Sequence, residues 1–170
     1  MQGIILIILI SLFSGTTLSQ SLTTRELNTN WVFKQKKDST WLKASVPGCV
    51  HTDLLKNGMI EDPYYRLNEK TVQWIDKKDW IYQTTFSINP IEWKRQNHEL
   101  HFEGLDTYAN VYLNDSLILK SNNMHRNYKI NVKANLLEGE NVLRVVLESP
   151  IRKGLELHDE LGYRLPVSAN

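Results

Sequence analysis

From Trp80 to Ile88 the chain reads WIYQTTFSI, with Trp80, Tyr82, Thr84, Phe86 and Ile88 at every second position and mostly polar residues at the positions between. A repeat of two is the repeat of a strand, because successive side chains of extended backbone point to opposite faces. This segment is therefore read as a half-buried strand, stopped by Asn89-Pro90, and it needs neighbouring strands to satisfy its backbone donors and acceptors. The same alternation recurs in Leu100 and Phe102, in Ala109, Val111 and Leu113, in Tyr128, Ile130 and Val132, and in Leu143, Val145 and Leu147. Asn114-Asp115 tolerates positive φ and makes Tyr108 to Lys120 a hairpin, and Leu137 to Asn141 makes a second turn. Asn30 to Phe33 and Trp41 to Ala44 add two strands around the polar Lys36 to Ser39 bend. Without strand–helix–strand alternation, these pieces predict an all-β antiparallel sandwich.

One short helix is predicted, Val50 to Lys56, with Leu54 and Leu55 turned inward and Asn57-Gly58 as its left-handed cap. Ile151 to Asn170 carries mixed charge without a clear period and is read as a connector or frayed end.

The chain has 170 residues with a single cysteine, and 20 basic against 19 acidic residues leave a net charge of +1. That balance argues against nucleic acid as a partner, and one cysteine excludes an internal disulfide or a multi-cysteine metal site. Gly3 to Phe13 is an apolar run shorter than the roughly 20 residues a membrane span needs. It has the form of a signal segment covering residues 1–19, with Thr17 and Ser19 ahead of a cut before Gln20. Residues 20–150 then form the sandwich. This sets the protein in a secreted or otherwise extracytoplasmic location, periplasm or lysosome according to source. Asn114-Asp115-Ser116 is an N-glycosylation sequon.

Few residues carry recognisable chemistry. Phosphate-binding glycine loops and the serine-hydrolase elbow are absent from the sequence. His98 and His101 stand three apart on a strand, which points them to opposite faces and argues against a metal site. Cys49 and His51 could form a thiol and base, but a buried structural cysteine is the better reading. Asp76 with Asp79, or Glu61 with Asp62, read as solvated charge rather than as paired glycosidase acids. Aromatic side chains stack on sugar rings, so Trp74 and Tyr112, among Trp80, Trp93, Tyr64, Tyr65 and Tyr108, are candidate sugar contacts, and His51 joins them as a polar one.

Val46-Pro47-Gly48-Cys49-Val50-His51-Thr52-Asp53-Leu54-Leu55, then Asp62-Pro63-Tyr64-Tyr65, Asn68-Glu69 and Val72-Gln73-Trp74-Ile75, resemble the start of β-mannosidases of the large sandwich-plus-barrel glycoside hydrolase family. The likeness continues through Asp79-Trp80-Ile81-Tyr82, Phe102 to Ala109, Val111-Tyr112-Leu113-Asn114 and Gly139 to Leu143, and covers about Leu27 to Pro150. It departs at Asn122-Asn123-Met124-His125-Arg126, where the family commonly has Asp-Asn-Met-Phe-Arg.

The resemblance implies a galactose-binding-like (sugar-binding) jelly roll preceding immunoglobulin-like and barrel domains, and an accessory part in the hydrolysis of terminal β-mannose. It also makes 151–170 an incomplete end of the same domain. No cofactor and no metal are expected. Both catalytic glutamates would lie in the barrel, and the family's Gly-Trp-Asp-Trp-Gly-Pro segment would follow Leu165-Pro166 beyond these residues. Neither is present here, so no catalytic residue is expected and the chain should be inactive alone. Its partners would be an oligosaccharide or mannoside, held weakly or not at all by this domain, and the downstream domains. The competing expectation is a stand-alone carbohydrate-binding module or adhesion domain. Pro47 to Asp53 is expected to be a tight loop feeding the helix, with Cys49 and Leu54 buried and Asp53 near the helix N-terminus. Asp106 and Thr107 are expected to satisfy backbone donors at a strand end.

Overall fold

The computed structural model describes residues 22–163. The expected signal segment, its cut before Gln20, and the last residues of the tail lie outside the described residues.

Among the described residues, eight strands form two antiparallel sheets. The larger contains β1 (Val32–Gln35), β2 (Leu42–Lys43), β3 (Trp80–Ile88), β5 (Tyr108–Leu113), β6 (Ser116–Asn122) and β8 (Gly139–Leu147), in the order β2-β1-β3-β8-β5-β6. The smaller pairs β4 (Glu99–Phe102) with β7 (Tyr128–Asn131). β3 and β8 are in register from Trp80 opposite Leu147 to Ile88 opposite Gly139. β5 and β6 meet through a two-residue turn, with Leu113 opposite Ser116 and positive φ at both Asn114 and Asp115. That conformation matches the twist of the flanking strands. The second turn ends earlier than expected, because Gly139 and Asn141 already pair with β3 and belong to β8.

Register puts Phe33, Tyr82, Val145 and Val111 in one row across the large sheet, and all four are buried. Phe33 is fully buried, its ring 5.4 Å from that of Tyr82 and 5.9 Å from that of Trp80. Burial of one such side chain contributes about 1.5–3 kcal/mol. The small sheet covers this inner face with Leu100, Phe102 and Tyr128, and toward one end Leu100 and Ile130 pack on Ile88, Leu113, Val132 and Leu136. The neighbouring row, Gln83, Arg144 and Tyr112, belongs to the opposite face. Thr84, a polar member of the inner rows, is buried with its hydroxyl donating to the Thr29 carbonyl at 2.9 Å. The all-β antiparallel sandwich is thus the observed architecture.

Among the described residues, three α-helices form rather than one. α1 spans Val50–Lys56 as expected. α2, Pro90–Trp93, is a single turn in which Asn89 accepts from the Ile91 and Glu92 N–H groups and Pro90 opens the helix, so Asn89-Pro90 both ends the strand and starts a helix. α3, Pro150–Leu161, replaces the expected connector. Ser149 accepts from the Arg152 N–H and Pro150 occupies the first turn, while Gly162 closes the end at φ 67°. Both ends are stopped by residues suited to the task. Its apolar side chains Ile151, Leu155, Leu157 and Leu161 are all exposed, and so no buried stripe announced it.

Candidate functional site

The segment richest in sequence signal, residues 45–57, folds around Asp53. A Cβ on Gly48 would overlap the Ser45 carbonyl oxygen, so the approach of the two backbones requires glycine here. Cys49 then caps α1: its N–H donates to Thr52 Oγ1 at 3.3 Å, and the Thr52 hydroxyl donates to the Cys49 carbonyl at 2.8 Å. Asp53, in the first turn of α1, is fully buried. Its Oδ1 accepts from the Ser45 N–H at 3.0 Å and its Oδ2 from the Tyr82 hydroxyl at 2.9 Å. Burial first, and the Asp53 carboxylate second, push the Tyr82 phenol well above its ordinary range. The phenol therefore stays a donor, and Asp53 fastens the loop and α1 to the centre of the large sheet.

Two expectations for this segment fail. Cys49 is exposed, because the buried side of α1 is taken by Asp53 and Leu54 and the capping position faces outward. Leu55, next in the chain, is 40% exposed and does not turn inward, since the inward face of this short helix is taken by Asp53 and Leu54, with Val50 packed against the core.

The candidate sugar contacts do not converge. Trp74 is half-buried, 5.9 Å from Trp80 and packed on the main core. Tyr112 is half-buried on the opposite face, between Leu117 of β6 and Arg144 of β8. His51 is exposed on α1. Of the aromatics weighed from sequence, Tyr64 is 97% exposed and Tyr65 is also open to solvent, with the Arg66 guanidinium 5.0 Å above the Tyr65 ring. Their loop is braced by Asp62, whose carboxylate accepts from the Tyr64 N–H and whose carbonyl accepts from Asn68 Nδ2.

The carboxylates weighed from sequence are structural or scattered. Asp79 Oδ1 accepts from the Ser149 N–H and from Arg152 Nη2, both at 2.9 Å, and Lys36 lies 3.6 Å from Oδ2. Burial raises the Asp79 carboxyl, but the Ser149 N–H, Arg152 and Lys36 outweigh it and hold the group below its ordinary value. The Ser149 hydroxyl donates to the Asp76 carbonyl at 2.7 Å, so this cluster fastens the start of α3 to the start of β3. Asp106 is exposed and accepts from the adjacent Thr107 hydroxyl rather than from a backbone donor. His101 pairs with Glu99 at 3.0 Å, while both ring nitrogens of His98 are buried without a hydrogen-bond partner among the described residues.

A cleft of about 340 Å³ opens beside β3, lined by Arg25, Thr29, Asn30, Thr84, Phe86 and Ser87, with Glu26 as its one acid. Retaining glycoside hydrolysis takes two carboxyl groups about 5–5.5 Å apart, and this cleft does not hold a pair.

Residues 31–170 match the family described as glycosyl hydrolase 2 galactose-binding domain-like. The chain belongs to this family. β-Mannosidase B of Aspergillus terreus is 37% identical over 138 residues, covering 78% of this chain and 16% of that protein. β-Mannosidase of Capra hircus is 35% identical over 139 residues, 81% of this chain and again 16% of the relative. The crystal structure of a β-D-mannosidase from Dictyoglomus thermophilum superposes with a TM-score of 0.82 at 43% identity, covering 85% of this chain and 18% of that one. The galactose-binding-like domain thus spans less than a fifth of the length of these relatives.

Proposed function

We propose that this galactose-binding-like domain is a non-catalytic, accessory part of a β-mannosidase-like glycoside hydrolase. It supplies a rigid sandwich, of the jelly-roll kind, beside a catalytic unit that acts on terminal β-mannose, and residues 1–19 direct it to an extracytoplasmic compartment. The observation that carries this reading is the family match across 31–170 in a chain that spans 16% of its β-mannosidase relatives.

The test is an assay of the purified 170-residue chain on an aryl β-mannoside. Turnover at the buffer rate is expected. Hydrolysis that co-purifies with the chain through successive columns would overturn the reading.

A further inference from the structure

We infer that the sequon Asn114-Asp115-Ser116 is closed in the folded protein, so that a glycan on Asn114 and the native sandwich exclude one another. As a sequence it is an acceptor, and the turn of a hairpin is where such an acceptor is usually open. Here the side chain of Asn114 is already spent. An asparagine amide offers two N–H donors and one carbonyl acceptor. Nδ2 donates to the Asn135 carbonyl at 2.8 Å and to Asn141 Oδ1 at 2.8 Å, and Oδ1 accepts from the Val142 N–H at 2.9 Å. The Asn114 N–H donates to the Val142 carbonyl at 3.0 Å as well.

Both Nδ2 hydrogens are taken by acceptors of the packed fold. Asn141 is fully buried, and it is held in turn by the Leu137 N–H and by the carbonyls of Leu137 and Gly139. Asn114 is itself half-buried, inside the angle between the β5–β6 turn and the segment leading into β8. N-glycosylation replaces one Nδ2 hydrogen by a bond to the anomeric carbon of the sugar, the pyrophosphate of a lipid-linked donor leaving with the bonding electrons while the amide proton is released. The product has one Nδ2 hydrogen for two acceptors, and a bulky polar ring where Asn135 and Asn141 now pack. Asn114 is therefore a latch joining three segments, and modification is confined to chains that have not closed it.

The test uses the full chain and two variants made in a glycosylating eukaryotic host and, separately, in a bacterium. Ser116→Ala destroys the sequon and leaves Asn114 in place, whereas Asn114→Gln removes both. Intact mass before and after enzymatic removal of N-glycans reports occupancy. The folded monomer secreted by the eukaryotic host is expected to carry no glycan, with any glycosylated chain retained or aggregated and Ser116→Ala raising the secreted yield. Among the bacterial proteins, Asn114→Gln is expected to melt at least about 5 °C below Ser116→Ala, or to fail to fold where Ser116→Ala folds. A glycosylated monomer melting with Ser116→Ala would overturn the inference, as would an Asn114→Gln variant as stable as Ser116→Ala. If no form is secreted, the bacterial comparison decides by itself.

Discussion

The Tyr82 hydroxyl donates to Asp53 Oδ2 at 2.9 Å, joining the middle of β3 to the first turn of α1 across 29 positions of chain. Asp53 is fully buried and has the Ser45 N–H on its other oxygen, so the loop before α1, the helix and the large sheet meet at one carboxylate.

Tyr82→Phe keeps the ring against Phe33 and removes only the hydroxyl. Leaving a buried acceptor short of a donor costs about 1–3 kcal/mol. Asp53→Ala should cost more, because the Ser45 N–H and the Tyr82 hydroxyl both lose their partner. Urea unfolding measures both, and an unchanged midpoint for Tyr82→Phe would show that this bond does not hold the fold.

Asp79 makes part of the stability depend on pH. Its folded pKa lies below the ordinary value, because the Ser149 N–H, Arg152 and Lys36 outweigh the effect of burial. The contribution is complete above the unfolded pKa of about 3.9 and is lost as pH falls through the folded one. Wild type should exceed Asp79→Asn in stability at neutral pH, with the gap narrowing below about pH 4. Urea midpoints at several pH values test this. A gap that stays constant into acid would remove Asp79 as the source.

Cys49 should behave as a free surface thiol. One equivalent of a thiol reagent is expected to label it in native buffer, and Cys49→Ser should change stability by no more than about 0.5 kcal/mol. Labelling that waits for denaturant would mean that the side chain is covered after all.

Strand identity was legible in the sequence because it is local. The alternation from Trp80 to Ile88 names one face of β3, and the bounds of that strand are those of the pattern. Asn114-Asp115 likewise specified its hairpin, since positive φ is a property of the residues themselves. The family was legible too, in the spaced segments from Val46 to Asn114.

Other features depended on contacts that no local pattern encodes. α3 was missed because its apolar residues stay exposed and its anchor, Ser149 on Asp79, joins positions 70 apart. Cys49 was misplaced because small apolar character argues for burial, while the capping position that turns it outward is set by how Asp53 docks on Tyr82. Trp74 and Tyr112 look alike as aromatics in a strand-rich chain, yet they belong to opposite sides of the large sheet. Side-chain period and turn chemistry act over a few residues and survive in the sequence. Which polar groups share a buried carboxylate, and which face looks outward, follow only when distant segments are packed together and every buried donor must find its acceptor.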